Sequence, residues 1–187
     1  MSNDNQSMGD LFPDLGPEDP VVSGIAHDRS EAQVTLRRIP DRPGVCASIF
    51  TQLADAGVNV DMIVQAAAST GTADVSFTTS ESQIRDVENI LEAKREELGY
   101  ESVDFNTSVG KVALVGVGMK THSGIAATFF RALSEKNINV LMISTSEIRI
   151  SAMVPLEDLD DAVRAIHTKF NLDADQVEAV VYGGTGR

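Results

Sequence analysis

Two stretches of the chain decide the fold: GVCASIFTQLADAGVNVDMI at residues 44–63 and GIAATFFRALSEKNINVLMI at residues 124–143. Laid over one another at a shift of 80 residues, they agree at eight of twenty positions: Gly44/Gly124, Ala47/Ala127, Phe50/Phe130, Leu53/Leu133, Asn59/Asn139, Val60/Val140, Met62/Met142 and Ile63/Ile143. Average residue usage gives about one or two such agreements by chance. Val45/Ile125 and Val58/Ile138 are conservative pairs. Beyond a five-residue difference in loop length, Val75-Ser76-Phe77 falls on Ile150-Ser151-Ala152 and Ile84 falls on Leu159. A repeat near 80 residues is too long for a solenoid and suits two tandem small domains.

Working outward, each copy shows the same order of elements. In the first, Gln33–Arg38 alternates as a strand, and Ile39-Pro40-Asp41-Arg42-Pro43-Gly44 breaks it with turn residues. Val45, Ile49, Leu53 and Ala56 then recur on one face of a helix that Gly57 ends. Val58–Gln65 and Ala73–Thr79 read as strands. Ser80-Glu81-Ser82-Gln83 has the form of a capping box, ahead of a helical stripe Ile84, Val87, Leu91. A strand over Glu101–Thr107 closes the copy. The second copy reads as strand Lys111–Val117, helix Ile125–Lys136, strands Ile138–Ser144 and Glu147–Val154, helix Leu156–Phe170 and strand Gln176–Tyr182. Ile148, Ile150, Ala152 and Val154 alternate, and Leu159, Val163, Ile166 and Phe170 give the helical stripe.

The order βαββαβ, twice, predicts an α+β fold: two tandem ferredoxin-like units, each an antiparallel sheet with both helices on one face. The expected division is a tail at 1–20, an extra strand and linker at 21–31, and units at 32–108 and 109–187. The extra strand, Val21–Ala26, is expected to add to a sheet edge. Units of this size leave one sheet face open, which pairing of the two copies or of two chains would cover.

Charge and composition narrow the function. Among the 187 residues, 15 Lys+Arg stand against 28 Asp+Glu, a formal net charge of −13, with five of the acids and no Lys or Arg in residues 1–20. That tail, with Pro13, Pro17 and Pro20, reads as a flexible extension whose Leu11, Phe12 and Leu15 form an incidental apolar cluster. The acid excess argues against nucleic acid and against an anionic membrane surface as partners. No stretch approaches the apolar length of a membrane span, so the expectation is a soluble, cytoplasmic chain. The lone Cys46 excludes an internal disulfide, and His27, His122 and His167 have no metal-ligand spacing. No metal or cofactor is expected. Gly116-Val117-Gly118 begins like a dinucleotide loop, but Thr121 stands where the third glycine belongs. No convergent set of acid, base and oxyanion groups points to an enzyme.

Binding chemistry is better supported. In both copies a strand runs into a glycine-containing turn that opens a helix, Asp41-Arg42-Pro43-Gly44 and Thr121-His122-Ser123-Gly124. Free N–H groups and the dipole at such an end suit a carboxylate, and Asp41 can answer an ammonium group. Together these describe a small amino-acid site. The alternative is that the glycines only make tight turns and Asp41 only stabilises its own.

The Pro-Asp-x-Pro-Gly loop, the strand Asn59-Val60-Asp61-Met62 and the doubled unit resemble tandem ACT domains. More narrowly, residues 20–187 resemble the C-terminal regulatory half of the aspartate kinase (aspartokinase) family, or its separate regulatory beta subunit. That likeness rests on Gly24-Ile25-Ala26-His27-Asp28, Val115-Gly116-Val117-Gly118-Met119-Lys120, Ile143-Ser144-Thr145-Ser146-Glu147-Ile148-Arg149 and the C-terminal run from Glu178 to Arg187. The resemblance implies an amino-acid sensor for feedback control of the pathways to lysine, threonine and methionine, working on an aspartate kinase catalytic domain or alpha subunit. It implies no catalysis by this chain alone, since the family's catalytic start is absent, and oligomers formed through ACT sheets. It places lysine or threonine against Asp41, Arg42, Pro43, Gly44, Val45, Cys46, Asn59, Val60, Asp61 and Gln65 in the first copy. In the second it places them against Gly124, Ile125, Ala126, Asn139, Val140, Ser146 and Glu147. Ala66-Ala67-Ala68 after Gln65, and Val45-Cys46-Ala47 after Gly44, depart from the family by removing polar groups. A purely structural module that assembles the kinase without a ligand is the alternative.

Overall fold

The computed structural model describes residues 21–68, 70–119 and 124–172. In chain order the elements are β1 (Val21–Asp28), β2 (Glu31–Pro40), α1 (Val45–Asp55), β3 (Val60–Ala67), β4 (Thr72–Ser80), α2 (Ile84–Ala93), α3 (Arg95–Leu98) and β5 (Ser102–Asn106). They continue with β6 (Val109–Val117), α4 (Gly124–Glu135), β7 (Met142–Thr145), β8 (Arg149–Pro155) and α5 (Leu159–Lys169). Two antiparallel four-stranded sheets result, ordered β3-β4-β2-β5 and β7-β8-β6-β1. The first unit is βαββαβ, as its hydrophobic periods predict. In the second sheet β1 pairs with β6, Ile25 opposite Leu114, in the place that β5 takes beside β2. The expected strand Gln176–Tyr182 lies outside the described residues, as do the tail at 1–20 and Thr121-His122-Ser123.

Each sheet packs its helices on one face. Val34, Leu36, Val75 and Phe77 meet Val45, Ile49, Leu53, Val87 and Leu91 in the first core. Val112, Leu114, Ala152 and Val154 meet Phe129, Leu133, Leu159 and Ile166 in the second. The duplicated helices end alike. Gly57 (φ 74°) and Asn137 (φ 56°) adopt the left-handed conformation, and Val58 and Ile138 donate from N–H to the carbonyls of Leu53 and Leu133 at 2.9 and 3.0 Å. This is the helix stop for which glycine or asparagine is suited. Val58 and Ile138 are both buried there, and in the second copy the strand begins only at Met142 rather than Ile138.

Several local expectations are corrected. Ala56 is exposed beyond the end of α1, so the helical stripe stops at Leu53. Ile148 is 56% exposed and precedes β8, whose residues Ile150 to Val154 are buried without alternation because both faces of that strand are covered. The capping box is not made. Residues 81–83 form a tight 3-10 turn with no side-chain cap, and Gln83 instead donates to the carbonyl of Gly57 (2.9 Å) and accepts from the N–H of Asn59 (3.2 Å). A second 3-10 turn, Leu156–Asp158, precedes α5.

The two units meet through the sheet faces turned away from the helices. Met62, Met142, Met153 and Val109 form a buried cluster with Val64 against it. Beside it, the Lys111 ammonium of β6 contacts the carboxylates of Glu31 on β2 and Asp61 on β3. The open face expected of each unit is thus partly covered within one chain.

Candidate functional site

The first duplicated loop builds a cavity of about 360 Å³, lined by residues 39–46 and by Gln65 from β3. Its backbone is set by β2, which bulges against β4 between Leu36 and Ile39, with Arg38 at φ 52° donating its N–H to Asp74 Oδ1 at 2.8 Å. Asp41 N–H is held by the Gly71 carbonyl at 3.0 Å, which fixes the turn and leaves the exposed Asp41 side chain at the rim. Gly44 takes φ 95°, a conformation that side chains resist, and opens α1 with no side chain capping it. Val45 N–H donates to the Arg42 carbonyl at 3.4 Å, and the next N–H groups, of Cys46 and Ala47, have no partner within the helix, so this end presents donors and a partial positive charge to the cavity. The Cys46 thiol donates to Gln65 Oε1 at 3.3 Å across it. The cavity therefore offers an anion site at the helix end with Arg42 beside it, and oxygen acceptors at Asp41 and Gln65.

Six loop residues (Asp41, Arg42, Pro43, Gly44, Val45, Cys46) and Gln65 are brought together; Asn59, Val60 and Asp61 are not. α1 runs antiparallel to β3 for eleven residues, roughly 16 Å, so Asn59 lies near the far end of the helix. Its N–H is taken by Gln83 and its carbonyl by Thr79 Oγ1 at 2.7 Å. Val60 packs against the first core, and Asp61 pairs with Lys111.

The second unit repeats this division. Gly124, Ile125 and Ala126 open α4, with Ile125 buried in the core. Ser146 and Glu147 form the β7–β8 turn: Ser146 N–H donates to the Arg149 carbonyl (2.8 Å), and the Glu147 carbonyl accepts from Met119 N–H (3.3 Å). Asn139 and Val140 line a separate cavity of about 340 Å³ at the C-terminal end of α4, with Phe130 and Asn137. The sequence reading missed Glu31 and Lys111. A lone lysine on the β6 face that also carries Val109 and Ala113 was the available signal.

Models of the ACT domain match residues 34–99 and 112–170. The chain is 41% identical to a chain in a crystal structure of aspartokinase alpha and beta subunits, covering 81% of itself and 99% of that chain with a TM-score of 0.75. The chain belongs to the aspartokinase family. It is also 36% identical to the regulatory subunit of aspartate kinase from Thermus thermophilus, over 80% of this chain and 98% of that one, with a TM-score of 0.75. Against the aspartokinase of Corynebacterium glutamicum it is 46% identical over 176 residues, 93% of this chain. It spans 42% of that relative's length, and so corresponds to the regulatory part of an aspartokinase. Among the described residues no helix is long and apolar enough to cross a membrane.

Proposed function

We propose that this aspartokinase regulatory region is an amino-acid sensor, binding lysine, threonine or both and setting the activity of a kinase catalytic domain or alpha subunit in the cytoplasm. The observation that carries the reading is the first-unit cavity, where an uncapped helix N-terminus, Arg42, Asp41 and Gln65 surround a volume suited to one free amino acid. The α-carboxylate meets the N–H groups of the helix end, and the α-ammonium meets Asp41 with Gln65 Oε1 as a second acceptor. Replacing the Cys46 thiol at Gln65 by a ligand ammonium exchanges a weak hydrogen bond for a charge-assisted one.

The separation of the loop residues from the Asn-Val pair supports a composite site. One small ligand reaches both sets only where the Gly44 end of one unit lies beside the Asn-Val end of another. A ligand that bridges two units favours one relative orientation of them. It inhibits to the extent that it binds that orientation more tightly than the active one. Couplings of this kind are about 1–3 kcal/mol, or roughly 5–150-fold.

Calorimetric titration of the chain with lysine, threonine and methionine, with and without the catalytic partner, tests the reading. Saturable heat with lysine or threonine is expected, and Asp41→Ala should weaken it about tenfold or more, the loss of one charge-assisted contact. No heat with any of the three in either preparation leaves the assembly role alone.

A further inference from the structure

The ion triad between the units lies apart from the first-unit cavity, yet it touches the strand that carries Gln65. We infer that Lys111 is a positioning residue that couples the two ACT units by holding Glu31 and Asp61 across the seam. The inference rests on the effector reading above for its allosteric half.

The contacts and burial of these groups support it. Lys111 stands on β6, a central strand of the second sheet, and its ammonium contacts Glu31 on the central strand β2 and Asp61 on the edge strand β3. Lys111 and Glu31 are well buried, with side chains 14% and 9% exposed, whereas Asp61 is 49% exposed. Glu31 accepts from Lys111 at Oε1 while its Oε2 is buried without a hydrogen bond, and burial pushes the Glu31 carboxyl up in spite of the Lys111 charge. Asp28, opposite Lys111 on β1, turns its carboxylate to the N–H and hydroxyl of Ser30 instead. Burial lowers the affinity of Lys111 for its proton, but hydrogen bonds and charge from Asp61 and Glu31 outweigh it and hold the ammonium above its ordinary range.

The geometry gives a defined route. Gln65 and Asp61 lie on one strand, β3, at its cavity end and its seam end. An occupant of the cavity that draws on Gln65 loads β3, and Asp61 is where β3 holds the other unit by charge. Met62 is next in sequence to Asp61 and meets Met142 and Met153 across the seam, so a shift of β3 is reported there. A buried ion pair is weak as a source of net stability and better suited to fixing one arrangement among several.

Carbon-13 methyl spectra of the methionines in the full chain test this, because Met62, Met142 and Met153 sit in the seam while Met119 lies in the second core. Lysine and threonine are the probes. In the unaltered chain, binding is expected to shift Met142 and Met153. In a double variant Glu31→Gln with Lys111→Met, which removes the buried charges together, calorimetric affinity should stay within about fivefold while those shifts disappear. Persistence of the shifts in that variant overturns the inference, as does loss of binding with the seam resonances unmoved. If the unaltered chain binds neither probe, the sensor reading fails by itself. The positioning role is then decided without ligand: Asp61→Asn must move Met142 and Met153 but not Met119, and unmoved seam resonances overturn it.

Discussion

The two sheets of this chain share an order but differ in how they are completed. The first closes with β5, a strand from its own unit, against β2. The second receives β1, from the opposite end of the described chain, against β6. β5 contributes half-buried Val103 and Phe105 to its core, whereas β1 contributes the buried Ile25. Sequence duplication therefore fixes what a sheet needs, not which segment supplies it. The first unit is self-contained, and the second depends on a strand that precedes the first.

The strongest way to break this comparison is to remove β1. A chain starting at Glu31 should lose hydrogen-exchange protection throughout β6, β8 and α5 while β2, β4 and α1 keep theirs. Equal loss in both units would show that they fold as one body. A gentler form is Ile25→Ala, expected to cost about 2–5 kcal/mol in denaturant unfolding, the range for a buried isoleucine.

Lys111→Met should cost about 3–5 kcal/mol and affect both units together, since it leaves Glu31 buried and uncompensated. The pH dependence has a definite sign. Lys111 is held above 10.5 in the folded chain, so its contribution is complete below 10.5 and is lost as pH rises through the folded value. Urea unfolding followed on the alkaline side should show that loss in the unaltered chain and not in Lys111→Met.

Close packing separates the units next. A Cβ added at Gly110 would stand 2.7 Å from Leu159 Cδ2, so Gly110→Ala should destabilise the second unit by about 1–3 kcal/mol. Ala32, the residue two before the buried Val34 as Gly110 is two before Val112, already has a methyl group there and is fully buried. The smallest expected difference lies at the paired helix starts. Gly44→Ala should cost about 1 kcal/mol through its left-handed backbone, and Gly124→Ala, which has open space and no such strain, should be close to neutral. Parallel melting curves of the two variants check this.

Much of the fold was legible because period is a local property. The stripes Val45-Ile49-Leu53 and Leu159-Ile166, the strand at Gln33–Arg38 and the Gly57 helix stop all follow from residues a few positions apart. What was not legible depended on distance in the chain. Nothing near Gln83 signals that it will brace Gly57 and Asn59 rather than cap its own helix. Nothing near Ile148 signals that it falls outside β8. At the site, the loop and Gln65 converge because α1 folds back along β3, which the element order implies. The remoteness of Asn59 and Asp61 from that loop follows from the same antiparallel arrangement, once the length of the helix is counted.

The position of β1 bears on the order in which the chain acquires its structure. Ile25 waits for Leu114, and the entire first sheet is made between them. Closing so long a loop costs little more than closing one half its length, about 0.6 kcal/mol per doubling, but contacts so distant form slowly. During synthesis the first unit has all its strands once Asn106 has emerged, while β1 stays unpaired until β6 follows. A nascent chain thus carries an apolar strand with an open edge past a finished neighbour. The interval before β6 arrives is when this protein is most open to pairing with the wrong partner.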